Sequence, residues 1–399
     1  MTQPPNVHAA EPIPDAAREA IDALMQSGDL FRYTAPQDAP VSLLEAEFAD
    51  LMGTRYALAV SSCSAALFLS LKALDLPRDS RVLIPGFTFA AVPSSVVHAE
   101  CIPVLCEVGE NYRVNLADFE AKLDNVQAVI ISHMRGHTSD MDAIMALCDA
   151  RGLPVIEDAA HSLGTTWAGR NIGTIGRVGC FSFQSYKMIN AGEGGILVTD
   201  DADLVARAVI MSGAYEHAWK KHKPDAELSK AFTKWQNQLP LYNLRMNNLS
   251  AAVIRPQLPE LARRVKDGLR NHDYVAAKLG MSAFIDVPAP LAPERRAPDS
   301  IQFNLLGLDE AETRAFAAAA EARGVKVQVF GLSQDNARAF WNWQFLPEQV
   351  ELPQTRAMLM RACDVRLPVR LTQGELDVIA DILLDALAEV TGPARAYGT

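Results

Sequence analysis

The 399-residue chain is 49% hydrophobic and 21% charged, which is enough apolar material for one large core and a second, smaller one. Its formal charge of −11 argues against a nucleic-acid-binding protein, which presents a basic face to phosphates. No apolar run approaches the roughly 20 residues needed to cross a bilayer, and no basic region followed by an apolar core opens the chain. A cytoplasmic protein that handles small molecules, without nucleic-acid or membrane partners, is therefore expected.

Residues 1–40 are rich in Pro and Ala, contain one amphipathic stretch (Ala16 to Met25), and read as an arm leading into the body. From residue 41 short apolar runs at 81–84, 102–105, 127–131 and 154–157 alternate with helical patterns at 64–74 and 140–150, the rhythm of βαβ units around a buried parallel sheet. Two further strands, 179–183 and 195–199, follow one another without a helix between them, so a mixed sheet is expected. A long helix over 251–277, kinked near Pro256 and Pro259, and the Pro-rich stretch 287–298 mark the best boundary. Beyond it a strand (301–306), a helix opened by Asp309 (310–323), a strand (325–330) and a last helix (374–390) predict a small α+β unit. The expected division is 1–40, 41–277 and 278–399. The six cysteines form no C-x-x-C pair and no zinc-like cluster with histidine, so reduced core thiols and no metal are expected.

Four segments carry chemistry. Lys187 stands between a strand and the Gly-rich turn Gly192-Glu-Gly-Gly195, flanked by Tyr186, Met188 and Ile189. Desolvation there favours the neutral amine that forms imines. Asp158 ends an apolar strand in Glu157-Asp-Ala-Ala-His161, at the carboxyl edge where α/β proteins bind ligands. Ser61-Ser-Cys-Ser64 passes from a strand into an apolar helix and so aims free N–H groups at a phosphate. Phe89, in Pro85-Gly-Phe-Thr-Phe89, places an aromatic ring at a strand end. Taken singly, each segment also fits a structural role: a snorkelling lysine, a helix cap, a serine N-cap, a core phenylalanine.

In this order, together with Ser182 and Asn243-Leu-Arg-Met246, the segments resemble the DegT/DnrJ/EryC1/StrS family of sugar aminotransferases over residues 40 to 390. The resemblance implies an α/β protein of the pyridoxal 5′-phosphate (PLP) transferase fold type I, with a large, mostly parallel mixed sheet and a small C-terminal α+β domain. It makes Lys187 the Schiff-base and proton-shuttle residue, and Asp158 the partner of the pyridinium nitrogen. His161 then lies near the phenolic oxygen, Cys63, Ser64 and Ser182 cradle the phosphate, and Phe89 stacks on the ring. Asn243 reaches the phosphate of a neighbouring subunit, which implies a homodimer with shared active sites. The implied reaction is ping-pong transfer of an amino group from an amino acid, L-glutamate by resemblance, to a keto sugar, nucleotide-linked in the first reading.

The chain departs from the family where substrate is chosen. His133-Met-Arg-Gly-His-Thr138 carries Arg135 in place of a tyrosine, so His133, Arg135 and Arg245 are taken as candidate substrate residues. Val327-Gln-Val-Phe-Gly331 and Trp341-Asn-Trp343 replace a Tyr and a Leu-His of many members. An acidic or unlinked keto or aldehyde acceptor, such as an oxidised octulosonic acid, is the alternative acceptor. A sugar dehydratase is disfavoured because those relatives carry histidine in place of the Schiff-base lysine. A non-catalytic PLP-binding regulator is the alternative from another class.

Overall fold

The computed structural model describes residues 3–34, 38–346 and 348–392. The remaining positions of the expected arm and C-terminal unit lie outside the described residues. The large sheet is built from β1 (Tyr56–Val60), β2 (Arg81–Pro85), β3 (Ile102–Cys106), β4 (Ala128–Ser132), β5 (Val155–Asp158), β8 (Val178–Ser182) and β9 (Gly195–Thr199). The short strands β6 (Thr166–Trp167), β7 (Arg170–Asn171) and β11 (Glu294–Arg295) make a separate three-stranded sheet.

The order of the large sheet is β1-β9-β8-β5-β4-β2-β3. Its neighbours are parallel from β8 to β3, whereas β9 runs antiparallel between β1 and β8. β4, β8 and β9 are buried along their whole length, as apolar runs covered by helices on both faces must be. Helix α1 (Asp15–Ser27) contains the predicted amphipathic stretch, and α2 (Pro40–Met52), which the apolar pattern had not marked, packs on β1. Helix α3 (Cys63–Ala73) follows β1, with the Ser62 side chain accepting from Ala65 N at its start.

The predicted long helix is three pieces: Asn248–Ile254, a 3₁₀ segment Arg255–Glu260, and Leu261–Leu279. Pro256 and Pro259 remove two backbone donors in succession, and the chain tightens between them. The C-terminal sheet has the order β10-β12-β14-β13, with β10 (Ile285–Asp286), β12 (Ser300–Leu305), β13 (Gln328–Val329) and β14 (Ala362–Arg366).

Alternation divides that sheet's two faces. Ile301, Phe303 and Leu305, Val327 and Val329, and Cys363 and Val365 pack with the helices Glu310–Ala322 and Gln373–Thr391. Ser300 and Gln302, Gln328, and Asp364 and Arg366 occupy the other face, where β14 pairs Asp364 with both Gln302 and Gln328. The N-terminal stretch does more than lead into the body. Val7 joins the core beneath the C-terminal sheet, and Arg370 holds Glu11 at 3.2 Å and the Asn6 carbonyl at 2.8 Å.

Candidate active site

A cavity of about 630 Å³ opens between the carboxyl ends of the large sheet's parallel strands and the polar face of the C-terminal sheet. The topology dictates this place, since parallel strands aim their carboxyl ends at one crevice. Lys187 lies in the loop joining β8 to β9, and its Nζ is 2.8 Å from Nε2 and 3.3 Å from Nδ1 of His161. Burial and the neighbouring Arg135 guanidinium push the Lys187 amine down to about 8, against the opposing pull of Asp299 and Asp158. Burial, then Lys187 and Arg135, hold the His161 imidazole well below its ordinary value, so it is neutral at pH 7.

Asp158 ends β5 at the cavity floor. Ser132 Oγ donates to its Oδ2 at 2.7 Å, Ala160 N to its Oδ1 at 3.2 Å, and the Cys63 thiol lies 3.9 Å from Oδ1. Burial and this carboxylate push the Cys63 thiol well up, so it is a protonated donor. One residue earlier Glu157 points the other way and is fully buried. It accepts from His133 Nε2 at 3.0 Å, Gly173 N at 2.8 Å, Ile175 N at 2.7 Å and Gly176 N at 2.6 Å. Burial raises the Glu157 carboxyl, but these donors outweigh it and leave the group below its usual value. Strand alternation thus divides the paired carboxylates, one anchoring the strand from beneath and one facing the cavity.

Ser62, Cys63, Ser64 and Ser182 line the cavity beside the start of α3. The Ser64 N–H has no acceptor among the described residues, as expected at a helix N-terminus that faces an anion. Gly195 lies directly behind this turn. A Cβ there would fall 2.2 Å from the Ser62 carbonyl carbon and 2.4 Å from Cys63 N, so only glycine lets β9 approach the turn so closely. Phe89 lines the cavity and is 44% exposed into it.

Among the candidate substrate residues, Arg135 lines the cavity at a left-handed backbone position (φ 55°), with its Nη2 2.5 Å from Asp364 of β14. The other two do not reach the cavity. His133 is 1% exposed, and its ring is spent on Glu157 beneath the floor. Arg245 donates to the Gly213 carbonyl at 2.8 Å and lies over the rings of Phe31 and Tyr215. Asn243 is exposed and outside this cavity. The structure adds residues with no local motif: His8 from the N-terminal stretch, Lys326 and Gln328 from the β13 segment, Arg338 from the following loop, and Asp364 and Arg366 from β14. The alternating Lys-Val-Gln-Val of 326–329 and Cys-Asp-Val-Arg of 363–366 is the signal that places their polar side chains on one face.

Among the described residues no helix is long and apolar enough to cross a membrane. The chain is 34% identical over 257 residues, 63% of its length and 64% of the relative's, to the spore coat polysaccharide biosynthesis protein SpsC of Bacillus subtilis. It is 32% identical to GDP-perosamine synthase of Vibrio cholerae over 57% of this chain and 59% of that one. The chain spans about three fifths of the length of the curated relatives it matches. The PLP form of Spr1654 from Streptococcus pneumoniae superposes with a TM-score of 0.81 at 17% identity, covering 96% of this chain and 100% of that one, which shows the fold. The family model for DegT/DnrJ/EryC1/StrS aminotransferases matches residues 14–384, and the chain belongs to that family.

Proposed function

We propose that the chain is a PLP-dependent aminotransferase that moves an amino group from an amino acid, L-glutamate by family resemblance, to a keto sugar. The observation that carries this reading is the Lys187 amine, buried within 2.8 Å of a neutral His161 in a cavity that also holds the Asp158 carboxylate and the free start of α3. The donor set fits PLP. Ser64, Cys63 and Ser182 around the α3 N-terminus would hold its phosphate, Phe89 would cover the ring, and Asp158 would pair with the pyridine nitrogen. When bound, PLP supplies the electron sink that makes a Cα–H bond acidic.

The chain's own residues do the rest. Ser132 and the Ala160 N–H fix the Asp158 carboxylate so that it cannot turn away from the ring nitrogen. Lys187 Nζ, with its proton affinity lowered by burial, takes the donor's Cα proton and returns it on the other side of the transfer. His161 holds Nζ by a hydrogen bond and presents a neutral ring edge to the phenolic oxygen. Asn243, exposed outside this cavity, is available to a second copy's phosphate in a homodimer with shared sites.

The test is spectroscopic. Protein loaded with PLP should show a visible absorption band that borohydride removes, and glutamate should convert it to the amino form. Lys187→Ala should lack the borohydride-sensitive adduct; an unchanged band in that variant refutes the assignment of Lys187. A band that glutamate never converts favours the non-catalytic reading.

A further inference from the structure

The Proposed function uses Lys187, Asp158 and the α3 turn, and leaves the opposite wall of the cavity unexplained. That wall carries Lys326, Arg338 and Arg366, with His8 beside them. Asp364, the carboxylate nearest to this group on β14, is already committed: Arg135 holds its Oδ2 and Gln302 Nε2 donates to its Oδ1 at 2.7 Å. Among the described residues none of Lys326, Arg338 and Arg366 has an ion-pair partner. Nε of Arg338 and of Arg366 is buried with no hydrogen-bond partner.

Arg366 lies 4.8 Å over the Tyr186 ring and Arg338 5.7 Å over the Phe89 ring, so both guanidinium groups are steered by aromatic faces without being neutralised. Arg338 is further tied to the large sheet's crevice, because its loop docks on the Phe89 segment through the Ala90 N–H to Ala337 carbonyl bond (2.9 Å). A protein of net charge −11 that gathers three uncompensated cations on one cavity wall has a receptor for negative charge there.

We infer that Lys326, Arg338 and Arg366 form a subsite for an oxyanion carried by the acceptor, at the end remote from the carbon that receives the amine. The substrate class is therefore a keto or aldehyde sugar that bears a carboxylate or a phosphate; this rests on the aminotransferase reading. The cations are graded along the cavity. Arg135 is the one whose charge depresses Lys187, Arg338 and Arg366 bear on His161, and Lys326 bears on His8 at the outer end. The outer group is thus placed to read the far end of an acceptor while Arg135 stands beside the reacting atoms.

Calorimetric titration of the PLP-loaded protein with glucuronate, with uridine diphosphate and with glucose tests the subsite without turnover. One or both anions should bind at least about tenfold more tightly than glucose, and the tighter one identifies the carboxylate or the phosphate as the source. Lys326→Gln and Arg366→Gln should each weaken that anion about tenfold, the loss of one charge-assisted contact, and leave glucose unchanged. Lys326 is exposed on its outer side, so its variant tests the site without disturbing the core, and Lys326→Arg should restore binding.

Glucose binding as tightly as both anions, or variants that bind the anion as the wild type does, overturns the inference. If the anions bind as expected while glutamate never converts the cofactor, the aminotransferase reading fails and the subsite stands. If glutamate converts it while the variants leave anion affinity unchanged, the subsite alone fails.

Discussion

Replacing Glu157 by glutamine removes one charge and exchanges one oxygen for an NH₂, and the structure says what each change does. If the retained oxygen faces Ile175 N and Gly176 N, those two bonds survive but lose their charge assistance, about 1 kcal/mol each. The new NH₂ then faces Gly173 N–H and His133. His133 can adapt, because its Nδ1 has no partner and the ring can take the other tautomer, so that Nε2 accepts. Gly173 N–H cannot, and a buried donor left without an acceptor costs about 1–3 kcal/mol. The sum is a loss of about 3 kcal/mol, read as a shift in the urea unfolding midpoint.

The sign of the pH dependence follows from the lowered Glu157 carboxyl. Its contribution is fully present above the unfolded value of 4.5 and is lost as pH falls through the lower folded value, so the gap between wild type and variant should narrow below pH 4.5. Because the same strand carries Asp158, PLP affinity should fall with stability. A loss under about 1 kcal/mol, or a gap that widens in acid, would refute the assignment of Glu157 as the anchor of β5.

The lowered Lys187 amine predicts that, in protein free of PLP, Lys187 reacts with an acylating reagent along a pH profile centred at about 8, well below an ordinary lysine at 10.5. Arg135→Gln removes a like charge and should move the midpoint up; a fixed or lowered midpoint counts against that electrostatic cause. Stability of the PLP-free protein should rise from pH 8 towards 10.5, where the unfolded chain binds the extra proton. At Gly195, alanine would drive its Cβ into the Ser62–Cys63 turn. Overpacking of this kind costs about 1–3 kcal/mol, and PLP titration of Gly195→Ala should show weakened binding even where the fold survives; wild-type affinity would mean that the turn yields without consequence.

The parts of this molecule that could be read from sequence are those whose signal is local. β2, β4 and β5 are bare apolar runs because both of their faces are covered, and Lys187, Asp158 and Ser64 each sit at a strand-to-turn or strand-to-helix junction that a short window contains. The expected strand 325–330 shrinks to Gln328–Val329, because it pairs only with β14, at the sheet's edge. β14 itself was missed, since Ala362-Cys-Asp-Val-Arg366 follows a helix closely and half of its residues are polar.

That same alternation decides the distal wall of the cavity. Lys326, Arg338 and Arg366 acquire a common purpose only when β13 and β14 are paired, and a window around any one of them shows an ordinary surface cation. His133 and Arg245 fail in the opposite sense. Their neighbourhoods look like a site, but Glu157 and the Gly213 carbonyl claim them for the scaffold.

The antiparallel strand β9 has a consequence for how the site comes into being. It is inserted between β1 and β8, so the pairing of Val60 with Gly195 must join positions far apart along the chain before the α3 turn and the Lys187 loop face one another. Such distant pairings close late, after the local βαβ units have formed. The lysine and the phosphate cradle therefore do not coexist in any early, partly ordered species. A cofactor arriving during synthesis would find nothing to hold, and would act as a seal on the finished sheet rather than as a template for it.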